Sequence, residues 1–455
     1  MLREARQLAF YVISLYEVAR NIDKRRIVRT PRERLIMTNT TTYLVPGLRT
    51  PFCKVDGPLK NFNAIQMSVP VAQAMTKIAK PDFMIWGTVI PALGYSNIAR
   101  EVQIDAKLDA TTPAYATVMA CSTSMLGVFE AAGMLSAHAP LAMVGGVEAM
   151  SQVQIGLAQG LSNWLRSVMQ ARSFGQRLDA IAGIKFADIR LDIPSVKNRA
   201  TGKSMGEHCE EMAKNWKIPR AAQDKIAYES HANAVKAMAN GFFDDLIVNM
   251  NGTAKDGIPR ADSTLAKLAS LKPAFDRSGN GTITAGNASP LTDGAAAIWV
   301  ANESGLAKLP ANHPRVKLLD HEIAGVDIFK EGLLMAPAYA IPRLLARNGL
   351  TLNDIDLWEI HEAFAAQVLC NVAALESESF LREKVQVNNP LGKFPWERLN
   401  PNGGSVAIGH PFGATGARIL SQATKELAAM GAGKKAIVSI CADGGLGTVA
   451  LLESA

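Results

Sequence analysis

The sequence predicts a layered α/β protein made of two similar halves, with a mainly helical segment inserted in the first half. Short apolar runs rich in β-forming residues alternate with helical stretches along most of the 455 residues, a pattern typical of α/β layers. The segments DGAAAIWVANES (293–304) and DGGLGTVALLES (443–454) align without gaps at an offset of 150 residues, as a duplicated half-domain would. Residues 152–250 differ, because they are polar, basic in places and helical in pattern.

The individual elements follow from these patterns in order along the chain. Apolar runs predict strands at 43–45, 83–89, 141–145, 355–360 and 435–440. Helical periodicity predicts helices at 121–137, 221–238, 337–348 and 416–430. Strand-turn-strand patterns at 282–301 and 436–452 contain the two similar segments. We therefore divide the chain into a basic extension (1–36), a first half (37–300) that holds the insert (152–250), and a second half (301–455).

Composition indicates a globular protein of a reducing compartment. The chain is 48% hydrophobic and only 20% charged, which is ample material for a large core. Its five cysteines are scattered, odd in number and without a CxxC pair, so neither a disulfide framework nor a zinc site is expected. We expect a cytoplasmic protein, or a mitochondrial matrix protein if the source is eukaryotic.

Most of the net charge of +7 belongs to the first 36 residues, which hold nine Lys/Arg and four Asp/Glu. The remaining chain is close to neutral, so no nucleic-acid partner is expected. The apolar run 8–16 is too short to span a bilayer, and a transit peptide should be poor in acidic residues. We interpret 1–36 as an extension upstream of a start at Met37, with a targeting segment as the alternative.

Cys121 is the first candidate for chemistry. It lies in TVMACSTSMLGVFEAAGML, where a β-like run ends and a long apolar helix is predicted to begin. A thiol at a helix N-terminus meets the positive end of the helix dipole and free backbone N–H groups, which favour its thiolate. An inert buried cysteine is the alternative for this segment alone.

Two histidines follow. His361, in LWEIHEAFAAQ, comes directly after a predicted strand, and the segment lacks the second histidine of an HExxH zinc motif. His410 lies between a glycine and a proline in NPNGGSVAIGHPFGATGARI (400–419), where the backbone can approach a ligand closely. The chain has no GxxxxGK[ST] and no GxGxxG in a strand–helix context, which excludes kinase, NTPase and dehydrogenase interpretations. A satisfied surface histidine is the alternative for His361.

Cys441 ends a predicted strand at the glycine-rich turn of AIVSICADGGLGTVALLE, and a buried core cysteine is the alternative. Functional sites of α/β sheets gather at the carboxyl ends of strands. We therefore expect Cys121, His361, His410 and Cys441 to converge. Two thiols and two imidazoles suggest covalent acyl transfer, with the second thiol as acid/base and no metal.

The sequence resembles the thiolase family over residues 38–455. The matching segments are ACSTS (120–124), VGGVEAMS (144–151), KSMGEHCEEMA (203–213), GTITAGNASPLTDGAAA (281–297), HEAFAAQ (361–367), NGGSVAIGHPFGATGAR (402–418) and CADGGLG (441–447). HEAF and RSFGQRLDAIAG (172–183) resemble the β-subunits of the fatty-acid oxidation trifunctional complex. The resemblance implies the thiolase fold, a five-layered αβαβα arrangement with the active site between the halves and an inserted domain that contacts CoA and the acyl chain.

The resemblance also implies a role for each candidate. Cys121 corresponds to the acylated nucleophile and His410 to the base that takes its proton. Cys441 corresponds to the acid/base that protonates the departing acetyl-CoA enolate and later activates CoA. His361 occupies the position that helps to hold a water of the oxyanion hole. The backbone N–H groups of Cys121 and Asp443 would form a second hole, for the tetrahedral intermediate.

Ala285 and Ser289 match positions that contact the pantetheine arm of CoA. Two residues depart from the family pattern. Asp443 stands where the family usually has Gly or Ala, and its carboxylate suits an oxyanion site only if it points away. Pro290 stands where Gly is common, close to the expected CoA arm.

The implied reaction is CoA-dependent cleavage of a 3-ketoacyl-CoA in fatty-acid β-oxidation, with coenzyme A as co-substrate and no permanently bound cofactor. The alternatives are an acetyl-CoA C-acetyltransferase that makes acetoacetyl-CoA, and a non-catalytic CoA- or lipid-binding relative. We expect a homodimer or tetramer. We also expect a hydratase/dehydrogenase partner at the basic insert (166–190), for which a solvated helical face is the alternative.

Overall fold

The computed structural model describes residues 41–194 and 197–455. The predicted extension 1–36 and the predicted start at Met37 lie outside the described residues. In the first part of the chain, strands alternate with helices as predicted. The elements are β1 (Thr42–Val45), β2 (Cys53–Lys54), α1 (Ala64–Ile78), β3 (Phe83–Gly87), α2 (Ile98–Asp105), β4 (Ala114–Tyr115), α3 (Thr123–Met134) and β5 (Leu141–Glu148).

The middle of the chain is mainly helical. Its elements are β6 (Gly156–Leu157), α4 (Gln159–Gln170), α5 (Phe174–Ala182), β7 (Leu191–Asp192), α6 (Met205–Asn215), α7 (Arg220–Ala239) and α8 (Leu265–Ala269). Helices α6 and α7 bury one face each, whereas α4 and α5 have no buried residue. The insert therefore consists of a packed pair of helices and an exposed pair.

The last part returns to the alternation of strands and helices. Its elements are β8 (Thr292–Ala301), α9 (Glu303–Leu306), β9 (Val316–Gly325), α10 (Ala336–Arg347), β10 (Leu357–Ile360), α11 (Ala365–Leu375), α12 (Glu378–Phe380), α13 (Ser405–Ile408), α14 (Thr415–Ala429), β11 (Lys435–Ala442) and β12 (Leu446–Ser454). Among the described residues, no helix is both long enough and apolar enough to cross a bilayer.

The same strand arrangement occurs twice in the large sheet. In one half, β3 is parallel to β5, which is antiparallel to β8, which is antiparallel to β1. In the other half, β10 is parallel to β11, which is antiparallel to β12, which is antiparallel to β9. The pairing of β1 with β9 joins the halves into one path of nine strands within the described chain, and β2 pairs with β8 beside this path. The segments that resemble each other in sequence contain most of β8 and all of β12.

The helices and the two halves of the sheet form five layers. Helices α3 and α14 pack against each other and contact the sheet on both sides, while α1 and α2 cover one outer face and α10 and α11 the other. Two buried apolar clusters fill the spaces under the outer helices, and a third surrounds the central helices and fills the two inner spaces. Strands β5 and β8 are therefore covered on both faces and are buried at every position.

The strands and helices quoted from the sequence are present, with ends shifted by a few residues, except in one place. The predicted strand-turn-strand at 282–301 is wrong, because only β8 is a strand there. The preceding residues form turns instead, in which Asn287 accepts a hydrogen bond from the backbone N–H of Thr284 (2.8 Å) and its own N–H reaches the Thr284 carbonyl (3.3 Å). Asn side chains compete in this way with strand pairing.

Candidate active site

Cys121 lies in a tight turn between β4 and helix α3. The helix begins at Thr123, two residues later than the sequence predicts. Ala120 has a φ of 44°, a left-handed conformation that is uncommon for a residue with a side chain and typical of functional turns. The next residue, Ser122, is buried and accepts a hydrogen bond from Thr448 Oγ1 (3.0 Å), which ties the turn to β12 of the other half.

His410 is held in the glycine-rich loop before α14. Its backbone N–H donates to Thr292 Oγ1 (3.0 Å), and its Nδ1 lies 2.7 Å from Thr415 Oγ1. The preceding Gly409 has a φ of +108°, and a Cβ there would lie 2.7 Å from the Ile258 side chain. Only glycine permits this approach of the loop to its neighbours.

His361 follows β10 directly, as predicted, and the helix that follows it begins at Ala365. Its backbone N–H extends the sheet by donating to the Ser439 carbonyl of β11 (2.8 Å). Its Nδ1 lies 2.7 Å from Ser405 Oγ, and its ring centroid is 4.1 Å from that of His410. Both imidazoles are buried.

The structure brings the predicted nucleophile and both histidines together. Cys121 Sγ and one ring nitrogen of each histidine all lie within 4.8 Å of one another. The Nε2 atoms of His361 and His410 are buried and have no hydrogen-bond partner within the described part of the chain. These two imidazole nitrogens are therefore available to exchange a proton or a hydrogen bond with the thiol or with a bound substrate.

Cys441 lies at the end of β11, beside this group. Burial raises the pKa of the Cys441 thiol well above its ordinary value, and the neighbouring Cys121 raises it further. The thiol of Cys121 is therefore close enough to Cys441 to affect its protonation, which places Cys441 next to the group formed by the other three predicted residues.

The thiol and the imidazoles are held in their neutral forms by burial. Burial raises the pKa of Cys121 to about 12, although the backbone N–H groups of Asp443 and of Cys121 itself are directed at the sulfur and favour the thiolate. Burial lowers the pKa of His410 to about 3, and burial with the nearby His410 lowers the pKa of His361 well below its usual value. The resting site is therefore a thiol facing neutral bases.

The carboxylate of Asp443 is held by two hydrogen bonds. Its Oδ1 accepts hydrogen bonds from Asn198 Nδ2 (2.8 Å) and from the backbone N–H of Gly444 (2.7 Å). Asn198 belongs to the insert, where its Oδ1 also accepts from the backbone N–H groups of Ala200 and Thr201. Asn198, which the sequence analysis did not single out, therefore tethers this carboxylate.

Ser289 and Ala285 are placed differently from the four central residues. Ser289 lies next to the His361 segment, because its backbone N–H and its hydroxyl both bond to the Ala363 carbonyl (3.0 and 2.9 Å). Ala285 is exposed in the turn that Asn287 closes. Their role as CoA contacts stays a prediction.

Several buried polar residues that position the site were missed. Glu148 accepts hydrogen bonds from three backbone N–H groups, including that of Gly413 in the His410 loop (3.1 Å), and burial raises its pKa to about 7. Glu362 accepts from Asn400 Nδ2 (2.6 Å) and from the Val406 N–H (3.0 Å), which fixes the start of α13, where Ser405 lies. The signal was present in the sequence, since each is an acidic residue in an otherwise apolar or glycine-rich segment.

Comparison with known proteins agrees with this geometry. The family model for the thiolase N-terminal domain matches residues 42–304, and that for the C-terminal domain matches residues 312–454. The chain belongs to the thiolase family. A 3-ketoacyl-CoA thiolase of Shewanella sp. (strain W3-18-1) is 34% identical over 95% of this chain and 99% of its own length. A 3-ketoacyl-CoA thiolase of Photorhabdus laumondii is 35% identical over 90% of this chain and 96% of its own.

Solved structures of other thiolases share the fold. The acetyl-CoA acetyltransferase of Bacillus anthracis superposes with a TM-score of 0.74 at 31% identity, covering 91% of this chain and 99% of that one. Human mitochondrial 3-ketoacyl-CoA thiolase in complex with CoA superposes with a TM-score of 0.74 at 27% identity, covering 92% of this chain and 98% of that one. The thiolase fold predicted from the sequence is confirmed.

Proposed function

We propose that this protein is a 3-ketoacyl-CoA thiolase, an acetyl-CoA C-acyltransferase that cleaves 3-ketoacyl-CoA with coenzyme A. The observation that carries the proposal is the convergence of Cys121 Sγ with nitrogens of His361 and His410 within 4.8 Å, beside the second thiol of Cys441. Full-length relatives with that name support it. Binding of CoA alone would need neither thiol.

The first half-reaction forms the thioester. His410 takes the proton of Cys121 as the sulfur attacks the 3-keto carbon, which gives a tetrahedral alkoxide stabilised by backbone N–H groups. Collapse of the alkoxide breaks the carbon–carbon bond and expels the enolate of acetyl-CoA. Cys441 donates its proton to that enolate, so acetyl-CoA leaves and the shortened acyl group stays on Cys121.

The second half-reaction restores the enzyme. The Cys441 thiolate takes the proton of an incoming CoA, whose sulfur then attacks the thioester carbon. The new tetrahedral intermediate expels Cys121, which recovers its proton from His410. Atoms and protons balance without a metal or a permanently bound cofactor, and coenzyme A is consumed as co-substrate.

Mapping the acyl group tests this proposal. After incubation with acetoacetyl-CoA, quenching and digestion, mass spectrometry should find the adduct on Cys121, and Cys121→Ser should lose both adduct and turnover while it keeps its melting temperature. An adduct on Cys441 alone would reverse the two roles. Absence of any adduct would favour a non-catalytic CoA- or lipid-binding protein.

An acetyl-CoA C-acetyltransferase is the second candidate, because the same four residues can run the condensation of two acetyl-CoA molecules. The structural similarity to an acetyl-CoA acetyltransferase supports this second candidate. Rates of CoA-dependent cleavage from acetoacetyl-CoA to long-chain 3-ketoacyl-CoA separate the two activities. A preference for chains longer than acetoacetyl supports the β-oxidation role.

We further propose a cytoplasmic protein, or a matrix protein in a eukaryote, that forms a homodimer or tetramer and receives its substrate from a hydratase/dehydrogenase subunit. Free cysteines support the reducing compartment. The basic segment 166–190 supports a partner, since it exposes Met169 of α4 (83%), Phe174 of α5 (78%) and Phe186 after α5 (92%).

Co-purification from the native source followed by gel filtration tests the partner. Phe174→Ser combined with Phe186→Ser should reduce recovery of the hydratase/dehydrogenase, whereas Leu93→Ser should not, although Leu93 is 90% exposed elsewhere. A chain that runs only as a homo-oligomer at low salt would refute the complex.

A further inference from the structure

The two histidines of the site differ in what holds their Nδ1 atoms. His361 Nδ1 lies 2.7 Å from Ser405 Oγ, and His410 Nδ1 lies 2.7 Å from Thr415 Oγ1. Each hydroxyl can either donate to the ring or accept from it. If the hydroxyl donates to Nδ1, the hydrogen of the neutral imidazole must be on Nε2. If the hydroxyl accepts from Nδ1–H, the lone pair of the imidazole is on Nε2.

Ser405 must give its proton to His361. Its Oγ already accepts a hydrogen bond from Arg418 Nη2 (2.9 Å), and a guanidinium can only donate. Ser405 is fully buried, so a hydroxyl proton without an acceptor would be costly. Donation to His361 Nδ1 satisfies every group, and it leaves the hydrogen of this imidazole on Nε2.

Thr415 directs its proton elsewhere. Its Oγ1 donates to the carbonyl of Pro411 (3.0 Å), one turn earlier in the chain. With that proton in use, the hydroxyl oxygen accepts from His410 Nδ1–H, and two hydrogen bonds form where the opposite arrangement would form one. The hydrogen of this imidazole is on Nδ1, and Nε2 carries a lone pair.

We infer that Ser405 and Arg418 on one side, and Thr415 on the other, hold the two adjacent imidazoles as opposite tautomers, His361 as a hydrogen-bond donor and His410 as a base. Ser405, Arg418 and Thr415 are thus positioning residues, because none of them contacts the thiol. The roles rest on the proposed function, but the tautomers are a property of the resting protein.

The surroundings of Ser405 preserve this arrangement. Glu362 binds the Val406 N–H next to it, and a Cβ on the neighbouring Gly404 would lie 2.2 Å from the Glu362 carboxyl. A glycine at 404 is therefore required for the carboxylate to reach the loop. Burial lowers the pKa of Arg418 to about 10, and the nearby Glu359 and Glu362 oppose this shift, so the guanidinium stays protonated at neutral pH and can only donate.

Opposite tautomers also decide against a metal at these three residues. Cys121, His361 and His410 have the donor types of a zinc site, but a metal ion needs a lone pair on both Nε2 atoms. Supplying one on His361 would require its hydrogen on Nδ1, which would leave the Ser405 proton without an acceptor. The same pair suits acyl transfer, in which one nitrogen takes the thiol proton and the other donates to a substrate oxygen.

Nitrogen-15 NMR of histidine-labelled enzyme at neutral pH tests the inference directly. Long-range proton–nitrogen correlations distinguish the two neutral tautomers, and His361→Asn and His410→Asn identify the two signals among seven histidines. We expect the Nε2–H form for His361 and the Nδ1–H form for His410. The same tautomer for both rings would overturn the inference, whether or not the enzyme cleaves 3-ketoacyl-CoA.

Ser405→Ala and Ser405→Thr give the matched pair of variants. The alanine variant should shift the His361 signal toward the Nδ1–H form and lower kcat by roughly 10- to 100-fold with KM little changed, because a donor to the developing charge is lost. The threonine variant keeps the hydroxyl and should retain the wild-type spectrum. An unchanged His361 signal in a folded Ser405→Ala protein would refute the relay, and if that variant does not fold, the wild-type spectrum decides.

Discussion

Asp443 offers the sharpest test of how the site tolerates a carboxylate next to its nucleophile. Its backbone N–H is directed at Cys121 Sγ, while its side chain is bound through Oδ1 to Asn198 and to the Gly444 N–H. We expect Asn198→Asp to release this tether. The substituted side chain can still accept from the backbone N–H groups of its own turn, so the change removes the donor and adds a like charge.

The size of the effect follows from those contacts. A hydrogen bond to a charged group contributes about 1.5–3 kcal/mol, and the lower value applies because Asp443 is partly exposed. A like charge next to it adds about 1 kcal/mol of repulsion. If most of this sum is felt in the transition state, kcat/KM falls by roughly 10- to 100-fold. Asp443→Asn keeps an Oδ1 in place and removes only the charge, so it should restore most of the activity of Asn198→Asp.

Thiol alkylation gives an independent measurement. Burial raises the pKa of Cys121 to about 12, and the charge of Asp443 contributes to the rise, so Asp443→Asn should lower that pKa. Iodoacetamide should then modify Cys121 faster than in the wild-type protein at pH 8, because the thiolate fraction rises. If Asn198→Asp has wild-type kcat/KM, or if Asp443→Asn fails to rescue it, the tether has no catalytic importance.

Three other outcomes are expected. Cys441→Ser should still accept an acyl group from acetyl-CoA but fail in carbon–carbon cleavage, because a hydroxyl is too weak an acid for the enolate; normal thiolysis would disprove the role of Cys441. A chain that starts at Met37 should keep full activity and melting temperature, and a drop in either would show that residues 1–36 contribute. Burial lowers the pKa of His410 to about 3, whereas a histidine of the unfolded chain has a pKa of about 6.5. Between these two pH values the unfolded state binds a proton that the folded state does not bind. The free energy of unfolding therefore decreases as the pH is lowered, by about 2 kcal/mol at pH 5. His410→Asn should flatten this dependence in denaturant titrations at pH 7.5 and 5, whereas His138→Asn, at an exposed position, should not; equal slopes would contradict the reasoning.

The parts of the site at strand ends were predictable from sequence. His361 follows β10 and Cys441 ends β11, and these strands are parallel neighbours, so their carboxyl ends must lie together. The duplication was visible in the segments of β8 and β12, since equivalent antiparallel strands place their apolar residues alike. Local sequence patterns were sufficient to predict the strands that are buried on both faces.

Local patterns failed where the backbone leaves the common conformations. The helix at Cys121 begins at Thr123 because Ala120 is left-handed, and no residue type in ACSTS announces that turn. The Asn198–Asp443 hydrogen bond joins residues 245 positions apart. Such contacts follow from packing of the halves and the insert, which single-sequence periodicity does not describe.

The burial that makes the site hard to predict also explains its chemistry. An isolated thiolate or imidazolium in this interior would be costly, so the resting residues are neutral and no charge has to be maintained between turnovers. In the proposed reaction, transfer of the Cys121 proton to His410 creates two opposite charges at once, and the attack passes the negative charge to the substrate oxygen. Backbone N–H groups of Cys121 and Asp443 are already directed at the sulfur, close to where that charge develops, so little reorganisation is needed. The arrangement therefore stabilises the transition state more than the resting thiol, which is the condition for rate enhancement.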